Sequence, residues 1–394
     1  MLSSFSLIAA LLIGGCAKTS DAPAPGRPAE APVQEDGEPT PAAVRTPEGE
    51  AVDEAAPAEP PAPEKQAELE MTFVGDVIFG RYRASGYDHI PEGEHQVFEA
   101  MAEFMKSDAL FGNLETPLTR ELPERSPIGS KFSFGASMED AQHLVKAGFV
   151  AMSLANNHWA DLGRKGAEET PKLLEELGVV PLGAARMPPD LFRVETVEVK
   201  GWKIGFVAIT TRSNTPMFKD RPIAPYLLTS EIKSKVGPVI AEARKGHDLV
   251  IVQIHWGDEY VDDPAYSQVQ AGHAMIDAGA DLVIGHHPHV LQGFELYGGG
   301  FIAYSLGNFL FENTNDPPRL TGVLRVRFKG SHECLDDIRF HPAYVTRLPV
   351  QHPVPARGYM GRKVKQRVRD VSRRFDAKWI DEEHDMVLEM PDCG

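Results

Sequence analysis

A short aliphatic segment that ends in a cluster of histidines constrains the fold of this chain more than any other feature. Residues 282–284 are aliphatic and partly β-branched, which is typical of a buried parallel strand. Gly285 follows, and then three histidines within four positions, His286, His287 and His289. Unpaired imidazoles would be costly in the buried interior of a strand. We therefore expect this strand to end at a site to which it delivers the imidazoles.

Apolar, strand-like segments alternate with helical segments through most of the chain. Strands are predicted at residues 71–74, 109–111, 149–155, 179–182, 203–210, 248–254, 282–284, 300–306, 323–328 and 338–345. Helices are predicted at about 139–147, 167–177, 230–244 and 265–278, and the proline-containing segment 214–225 is predicted to be a surface loop near the site. This order indicates an α/β fold with a largely parallel central portion, in which ligands collect beyond the carboxyl ends of the strands.

Residues that can bind a metal follow five of these predicted strands. They are Asp76, Glu115, Asn157 with His158, His255, and the histidines His286, His287 and His289. Each has a structural explanation when taken alone; Asp76 could cap a helix, for example, and Glu115 could lie on the surface. Because the fold brings the ends of successive parallel strands together, their joint occurrence predicts one shared site.

The mixture of carboxylate, amide and imidazole groups suits one or two divalent ions of the Mn, Zn or Fe type. Calcium is disfavoured because it prefers oxygen ligands throughout. Two ions about 3.5–4 Å apart can activate water and bind both oxygens of a displacement at phosphorus. One imidazole can then serve as the general acid for a leaving group.

The first sixteen residues resemble the signal peptide of a bacterial lipoprotein. Residues 2–13 are mostly apolar but too short to cross a bilayer, and small residues precede Cys16, the predicted lipidation site. An ordinary secretory signal with a chance cysteine is the alternative. Residues 17–67 are rich in Pro, Ala and Glu and are predicted to form a disordered tether. We therefore expect an exported protein that is lipid-anchored to the cell membrane or outer membrane, in the periplasm or at the cell surface.

The charge of the chain argues against nucleic acid as a partner. The formal net charge is −17, and residues 17–70 alone hold 13 acidic and 4 basic residues, so the remaining body is only mildly acidic. Neutralising phosphates would need a basic face. A basic segment does occur at residues 362–375, where Val364, Val368, Val371 and Phe375 fall on one helical stripe. Docking of this helix onto the body is predicted, and binding to a membrane or polyanion is the alternative.

Six motifs together resemble the CapA family, the bacterial capsule proteins associated with making or exporting poly-γ-glutamate. In chain order they are Gly75-Asp76 with Arg81; Asn113-Leu114-Glu115; Asn156-Asn157-His158 with Asp161 and Gly163; His255-Trp256-Gly257 with Glu259-Tyr260; Gly285-His286-His287-Pro288-His289-Val290 with Gln292; and Tyr304-Ser305-Leu306-Gly307-Asn308-Phe309. The predicted domains are accordingly a signal peptide at 1–16, the tether at 17–67, a CapA-like body at 68–355, and a C-terminal basic helix and tail at 356–394.

This family is in turn similar to the calcineurin-like metallophosphoesterases, which implies a sandwich of two mixed β-sheets flanked by helices. The resemblance implies a set of metal ligands made of Asp76, Glu115, Asn157, His255, His287 and His289. We expect Asp76 and His158 to take part in catalysis. Arg81 and Lys131 are candidates for holding an anionic substrate, because Arg suits bidentate carboxylate or phosphate. Asn308 is grouped with Arg81 as a substrate-binding candidate and not with the metal ligands.

Two departures from the phosphoesterase pattern bear on the number of ions. Val77 and Ile78 follow Asp76, so the histidine of the Asp-x-His motif is missing, and Glu115 stands where aspartates are usual. One of the two metal positions is therefore expected to be weaker, empty or reshaped. A second question concerns His286, because strand register decides whether it or His287 is the ligand.

The expected function is that of an envelope-anchored protein for capsule or poly-γ-glutamate synthesis or export, with a metal-dependent, hydrolase-like site. The expected partners are an anionic capsular polymer such as poly-γ-glutamate, the membrane through an N-terminal lipid, and proteins of capsule synthesis or export. There are two alternatives. The chain could be a non-catalytic assembly factor that binds metal or polymer, or an envelope metallophosphodiesterase unrelated to capsule.

Overall fold

The computed structural model describes residues 64–89, 96–130, 132–215, 222–312, 315–330, 334–347 and 351–391. These residues all belong to the second of two compact units, Pro60–Gly394. The predicted signal with Cys16, most of the predicted tether, and Lys131 lie outside the described residues. Among the residues that are described, no helix combines the length and the apolar composition needed to cross a bilayer.

Short strands and helices make up most of the described chain. The strands are β1 (Glu68–Val77), β2 (Gly80–Arg83), β3 (Gly86–His89), β4 (Ala109–Leu114), β5 (Leu118–Thr119), β6 (Ser133–Phe134), β7 (Ala136–Ser137), β8 (Phe149–Ser153), β9 (Val180–Leu182), β10 (Glu195–Val199), β11 (Trp202–Thr210), β12 (Leu249–His255), β13 (Leu282–His286), β14 (Phe294–Tyr297), β15 (Gly300–Ala303), β16 (Asn308–Leu310), β17 (Leu320–Lys329), β18 (Cys334–Val345), β19 (Pro353–Pro355), β20 (Trp379–Asp381) and β21 (Met386–Leu388). The helices are α1 (Ala102–Met105), α2 (Met138–Ala147), α3 (Gly163–Glu176), α4 (Ile232–Lys235), α5 (Gly237–Arg244), α6 (Tyr266–Asp277) and α7 (Gly358–Ser372).

The larger sheet has ten strands within the described residues and is half parallel. β1, β4, β8 and β9 lie side by side in parallel. On the other side of β1, β17 pairs antiparallel, and β18, β19, β20 and β21 extend the sheet from there. The last residues of β1 also pair in parallel with β16, which sets Asn308 beside Asp76. The carboxyl end of β1 therefore has a parallel neighbour on both sides.

The smaller sheet has the strand order β10-β11-β12-β13-β15-β14 in the described chain. Its four inner strands are parallel and its two edge strands are antiparallel. The register sets His255 beside His286, at the carboxyl ends of β12 and β13. Two imidazoles from neighbouring strands are thus brought to one level of the sheet.

The two sheets pack face to face, with helices on their outer faces. Phe73 and Phe111 of the larger sheet share a core with Phe206 of the smaller one, and the ring centroids of Phe111 and Phe206 are 4.9 Å apart. Helices α1, α2 and α3 pack on the outside of the larger sheet, and α4, α5 and α6 pack on the outside of the smaller sheet. The predicted sandwich of two mixed β-sheets flanked by helices is confirmed.

Two predicted elements differ from the structure for identifiable reasons. The predicted helix at 230–244 is divided into a 3-10 turn, α4 and α5, and Pro238 stands in the first turn of α5. Proline lacks the N–H that would continue a helix from the preceding turn, although it suits a helix start. The predicted strand at 300–306 ends at Ala303. Residues 304–307 instead cross from the smaller sheet to the larger one, where β16 begins.

Helix α7 lies against β14 of the smaller sheet and β18 of the larger one. Val364 and Val368 on its apolar stripe are buried in the core between the sheets. Many of its basic side chains form ion pairs with the body, as Lys363 does with Asp316. The stripe is therefore docked on the sandwich, and the charged face is largely neutralised.

Candidate metal centre

The carboxyl ends of five parallel strands meet at one edge of the sandwich. β1, β4 and β8 of the larger sheet lead to Asp76, Glu115 and Asn157, respectively. β12 and β13 of the smaller sheet lead to His255 and to the following histidines. All of these side chains are buried. The structure thus brings together the five strand ends that the sequence singles out.

The segment 304–307 crosses between the strands that carry Asp76 and His286. A Cβ atom on Gly75 would lie 1.9 Å from the Gly307 carbonyl oxygen, and one on Gly285 would lie 2.0 Å from the Tyr304 carbonyl oxygen. Real Cβ atoms do not approach that closely, so only glycine fits at both places. The backbone N–H of Asp76 donates to the Gly307 carbonyl at 2.9 Å. The crossing segment therefore fixes the spacing between the two ligand-bearing strands.

Asp76 lies at the centre of the polar cluster. Its Oδ1 accepts a hydrogen bond from Asn113 Nδ2 at 2.8 Å and lies 3.3 Å from His286 Nδ1. Its Oδ2 lies 3.3 Å from His289 Nδ1. Burial would raise the pKa of this carboxyl, but His286 and His289 outweigh burial and hold the pKa well below its usual range. Asp76 is therefore held as a carboxylate.

Glu115 is fully buried, and neither carboxylate oxygen has a hydrogen-bond partner among the described residues. Three imidazole Nε2 atoms surround its Oε1, at 3.6 Å for His255, 3.8 Å for His158 and 3.9 Å for His289. Burial and the nearby charge of Asp76 raise the pKa of Glu115 well above its usual range. A buried carboxylate without donors is costly unless a cation compensates it.

His255 and Asn157 meet across the two sheets. His255 Nε2 lies 2.8 Å from Asn157 Oδ1, and its Nδ1 lies 3.4 Å from Asn113 Nδ2. Burial, followed by the charge of His287, lowers the pKa of His255 well below its ordinary value. The ring is therefore held neutral, which is the form that binds a metal.

His287 and His289 both have left-handed backbone conformations, with φ of 95° and 57°. Such conformations cost on the order of 1–3 kcal/mol in a non-glycine residue and are found where a site requires them. Burial and the charge of His289 lower the pKa of His287 well below its usual value. Burial would also lower the pKa of His289, but Glu115 and Asp76 together raise it to about 9. The turn through Pro288 thus places two unlike imidazoles in one site.

Two groups of residues have ligand atoms within 4.8 Å of one another and could each hold an ion. One is Asp76, Glu115 and His255, and the other is Glu115, His287 and His289. Glu115 is common to both groups, as a bridging carboxylate would be. His287 belongs to such a group and His286 does not, although His286 Nε2 is buried without a hydrogen-bond partner among the described residues. The donor set and the unpartnered Glu115 carboxylate fit one or two divalent ions.

His158 is oriented by a buried carboxylate. Its Nδ1 lies 2.6 Å from Asp161 Oδ2, which also accepts a hydrogen bond from the backbone N–H of Phe134 at 2.8 Å. Its Nε2 points toward the centre, 3.8 Å from Glu115 Oε1. The sequence motif contains Asp161, but only the structure shows that it sets the orientation of the ring.

The two predicted substrate-binding residues have protein partners. Arg81 on β2 forms an ion pair with Glu312, which also pairs with Arg83 at 2.6 Å. Asn308 Oδ1 lies 2.8 Å from His289 Nδ1, so Asn308 orients a candidate ligand. Contact of either residue with a substrate stays a prediction.

Sequence reasoning missed a charged pair beside the centre. Arg212 follows β11, the neighbour of β12 in the smaller sheet, and its Nη2 pairs with Asp258. Asp258 comes three residues after His255. The available signal was a basic residue two positions after a predicted strand, which is a weaker indication than a histidine motif.

Comparisons with known proteins place the chain among capsule proteins. It is 35% identical over 268 residues to the capsule biosynthesis protein CapA of Bacillus anthracis, which covers 64% of this chain and 62% of that protein. It is 34% identical over 246 residues to the PGA biosynthesis protein CapA of Bacillus subtilis, covering 62% of this chain and 63% of that protein. A probable polyglutamine synthesis accessory protein of Mycobacterium tuberculosis is 29% identical over 222 residues, covering 53% of this chain and 57% of that protein.

The chain spans less than two thirds of the length of these relatives. The family model described as bacterial capsule synthesis protein PGA_cap matches residues 70–313, which is more than half of the chain. The match includes all six sequence motifs and ends before β17. The resemblance to the CapA family is confirmed, and the chain belongs to the PGA_cap family of bacterial capsule synthesis proteins.

Proposed function

We propose that this chain is a metal-dependent hydrolase of capsule biosynthesis that acts on an anionic capsular polymer such as poly-γ-glutamate. One observation carries the proposal. The carboxylate of Glu115 is fully buried, has no hydrogen-bond donor among the described residues, and has three imidazoles within 3.9 Å of Oε1. An arrangement of this kind is stable when a cation lies between the groups.

The residues that would hold one or two ions of the Mn, Zn or Fe type are Asp76, Glu115, Asn157, His255, His287 and His289. A bound divalent ion would supply Lewis acidity and would lower the pKa of water at the site. Asp76 is already a carboxylate, and His255 and His287 are held neutral by burial, so these groups are ready to bind. Asn308 holds Nδ1 of His289 and thereby directs its Nε2 toward Glu115.

His158 is the proposed proton donor to the leaving group. Asp161 holds its Nδ1, which leaves Nε2 directed toward the centre. A histidine oriented by a carboxylate in this way keeps one tautomer and one ring position, as general acid–base catalysis requires. The proposal therefore assigns metal binding and proton transfer to separate groups.

Metal analysis combined with activity assays tests this proposal. The purified chain should retain or rebind a divalent ion and should shorten poly-γ-glutamate, and cleavage of a chromogenic phosphodiester is measured alongside. Glu115→Ala and His287→Ala should lose both the ion and the activity. His273→Ala is the matched control, because His273 pairs with Glu295 on the outside of the smaller sheet. A folded protein that neither retains nor rebinds metal would rule the proposal out.

A non-catalytic accessory role is the second candidate. Ile78 stands where the phosphoesterase pattern has a histidine, which removes one expected ligand. The similar protein of Mycobacterium tuberculosis is described as an accessory protein. In this case the chain would bind metal and polymer stoichiometrically without turnover. Turnover of the phosphodiester with no effect on the polymer would instead favour an envelope phosphodiesterase outside capsule synthesis.

We also propose that the chain is exported and anchored in the membrane by a lipid on Cys16. The proposal rests on the apolar segment 2–13 and the small residues before the cysteine. Expression with a labelled fatty acid should label the wild-type chain and not Cys16→Ser. Equal labelling of both chains would contradict it.

A further inference from the structure

The segment that leaves β11 is hydrogen-bonded to two candidate ligands from opposite sheets. The backbone N–H of Thr211 donates to the His255 carbonyl at 2.9 Å. The backbone N–H of Asn214 donates to the Asn157 carbonyl at 3.4 Å. Arg212 lies between these two anchors. Its position beside the metal centre is therefore fixed by the backbone of both sheets.

The backbone of Arg212 is held as firmly as its neighbours. Its N–H donates to Thr210 Oγ1 at 3.0 Å, and the same hydroxyl donates to the Arg212 carbonyl at 2.8 Å. Thr210 in turn lies opposite His255 in the register of β11 and β12. The side chain of Arg212 thus starts from a rigid point next to a candidate ligand.

The guanidinium group of Arg212 has spare binding capacity. Its Nε is buried and has no hydrogen-bond partner among the described residues. Its Nη2 pairs with Asp258, whose side chain is 70% exposed. An ion pair with so exposed a partner contributes little, about 0–1 kcal/mol. An incoming anion can therefore replace Asp258 at small cost.

The guanidinium group of Arg212 carries its positive charge on a segment that is hydrogen-bonded to the backbone of His255 and of Asn157. A guanidinium presents a planar fork of donors that matches a carboxylate or phosphate. A charged fork at the edge of a metal centre is placed to hold the substrate while its neighbouring bond reacts.

Arg81, the arginine that the sequence suggests, is less available. Its partner Glu312 is only 11% exposed and also binds Arg83. Withdrawing Arg81 from it would leave a largely buried carboxylate with one partner fewer, which is costly. Asp258, by contrast, is already in solvent. The two arginines differ in what each must give up to bind an anion.

We propose that Arg212 binds an oxyanion of the substrate, a carboxylate or a phosphate, at the edge of the metal centre, and that Asp258 occupies it until the anion arrives. This inference rests on the proposed function, because an anion bound at Arg212 would be a substrate only if the neighbouring metal centre is catalytic. The substrate would then carry an oxyanion close to the bond that reacts, and Arg212 would hold that oxyanion.

Anion binding to the metal-loaded chain, measured by calorimetry, tests the inference. The probes are inorganic phosphate and a γ-linked glutamate trimer, so the two sources of oxyanion are compared directly. Arg212→Gln should weaken binding of the preferred probe about ten- to a hundredfold, and Arg212→Lys should restore part of it. Asp258→Asn should tighten binding about two- to fivefold, because the competing carboxylate is gone.

Arg120→Gln is the matched control, since Arg120 is an exposed arginine paired with Glu176 on the surface. Arg81→Gln is measured in parallel. Unchanged binding in Arg212→Gln with metal retained would overturn the inference, and so would a loss in Arg81→Gln alone. If Arg212→Gln does not fold, Asp258→Asn decides, because unchanged or weaker binding in that variant contradicts the competition.

Failure of the proposed function has a separate signature. A folded wild-type chain that neither retains nor rebinds a divalent ion refutes the metal-dependent hydrolase. In that case phosphate binding to the metal-free chain still tests the anion site at Arg212 separately from the metal-dependent hydrolase. Loss of binding in Arg212→Gln would support an anion site at Arg212, and equal binding in both chains would overturn it.

Discussion

At the residue scale, Glu115 lowers the stability of the metal-free chain and is also a candidate metal ligand. Its carboxylate is buried among three imidazoles and lacks hydrogen-bond donors among the described residues. Without a cation, the charged form is disfavoured by burial and by Asp76. Folding of the metal-free chain must therefore either bury this charge or take up a proton, and both reduce stability at a candidate metal ligand, as is common at functional sites.

Glu115→Gln should stabilise the metal-free chain by about 1–3 kcal/mol at neutral pH, because Gln keeps the shape of the side chain and removes the cost of burying a charge or taking up a proton on folding. The pKa of Glu115 is raised in the folded state, so protonation favours folding, and the advantage of Gln should disappear below pH 4.5, the ordinary pKa of this group. Chemical denaturation of metal-free protein across pH measures it. Glu121→Gln, at a side chain 87% exposed, is the control. A less stable Glu115→Gln would contradict the expectation.

Asp161 allows a test of proton transfer that leaves the metal ligands in place. Asp161→Asn keeps the size of the side chain but removes the carboxylate that holds His158 Nδ1. We expect turnover to fall about 10–100-fold, with a changed pH profile and an unchanged metal content. Asp263→Asn, at a side chain 70% exposed, should have no effect. Loss of metal together with activity in Asp161→Asn would assign the residue to the ligand shell instead.

At the scale of elements, α7 is held by its apolar stripe more than by its charges. Val364 and Val368 are fully buried against both sheets. Arg369 and Lys363 form ion pairs at partly exposed positions, which contribute little. The helix thus belongs to the body although it lies beyond the part of the chain that the family model matches.

Val368→Ala should lower the free energy of unfolding by about 2 kcal/mol, because two buried methyl groups are lost. Arg362→Ala, at an exposed position of the same helix, should change it by less than about 0.5 kcal/mol. Urea denaturation of both variants measures the difference. Equal effects would show that α7 is not anchored through this stripe.

For the molecule as a whole, the candidate ligands connect the two sheets. Asp76, Glu115 and Asn157 belong to the larger sheet, and His255, His287 and His289 belong to the smaller one. An ion bound by both sets would bind the folded chain and not the unfolded one. Such binding stabilises the fold by about 2.7 kcal/mol at an ion concentration about 100 times Kd.

Chelation should therefore lower the Tm by about 4 °C, and returning Mn²⁺ or Zn²⁺ should restore it. Differential scanning calorimetry with and without a chelator makes the measurement. The same treatment of His287→Ala should change the Tm much less. A wild-type Tm that does not respond to chelation would speak against an ion between the sheets.

Much of this site was predictable because its parts obey local rules. Apolar strands followed by polar residues mark the carboxyl ends of parallel strands, and these rules located Asp76, Glu115, His158 and His255. The rules say nothing about long-range pairing. The role of Asn308 beside His289 and the place of Arg212 depend on contacts that the fold alone creates. The motif that contains His158 and Asp161 does not by itself show that their side chains meet.

The division of the strands between two sheets also lay beyond local patterns. Buried strands of both sheets have the same apolar composition, so periodicity predicts a parallel portion without saying that there are two. The edge strands β10 and β14 are antiparallel and partly polar, and the apolar runs did not reveal them. Resemblance to a known family supplied the sandwich, and the structure confirms it.

The crossing segment 304–307 makes this site sensitive to changes in chain length. Its main-chain carbonyls, and not its side chains, meet the two glycines that precede Asp76 and His286. One inserted residue would shift both carbonyls and separate the two halves of the ligand set. The turn at Gly299, where an added Cβ would meet nothing within 4 Å, has room for such an insertion. Among natural relatives, we therefore expect length variation at that turn and a constant residue count between β15 and β16.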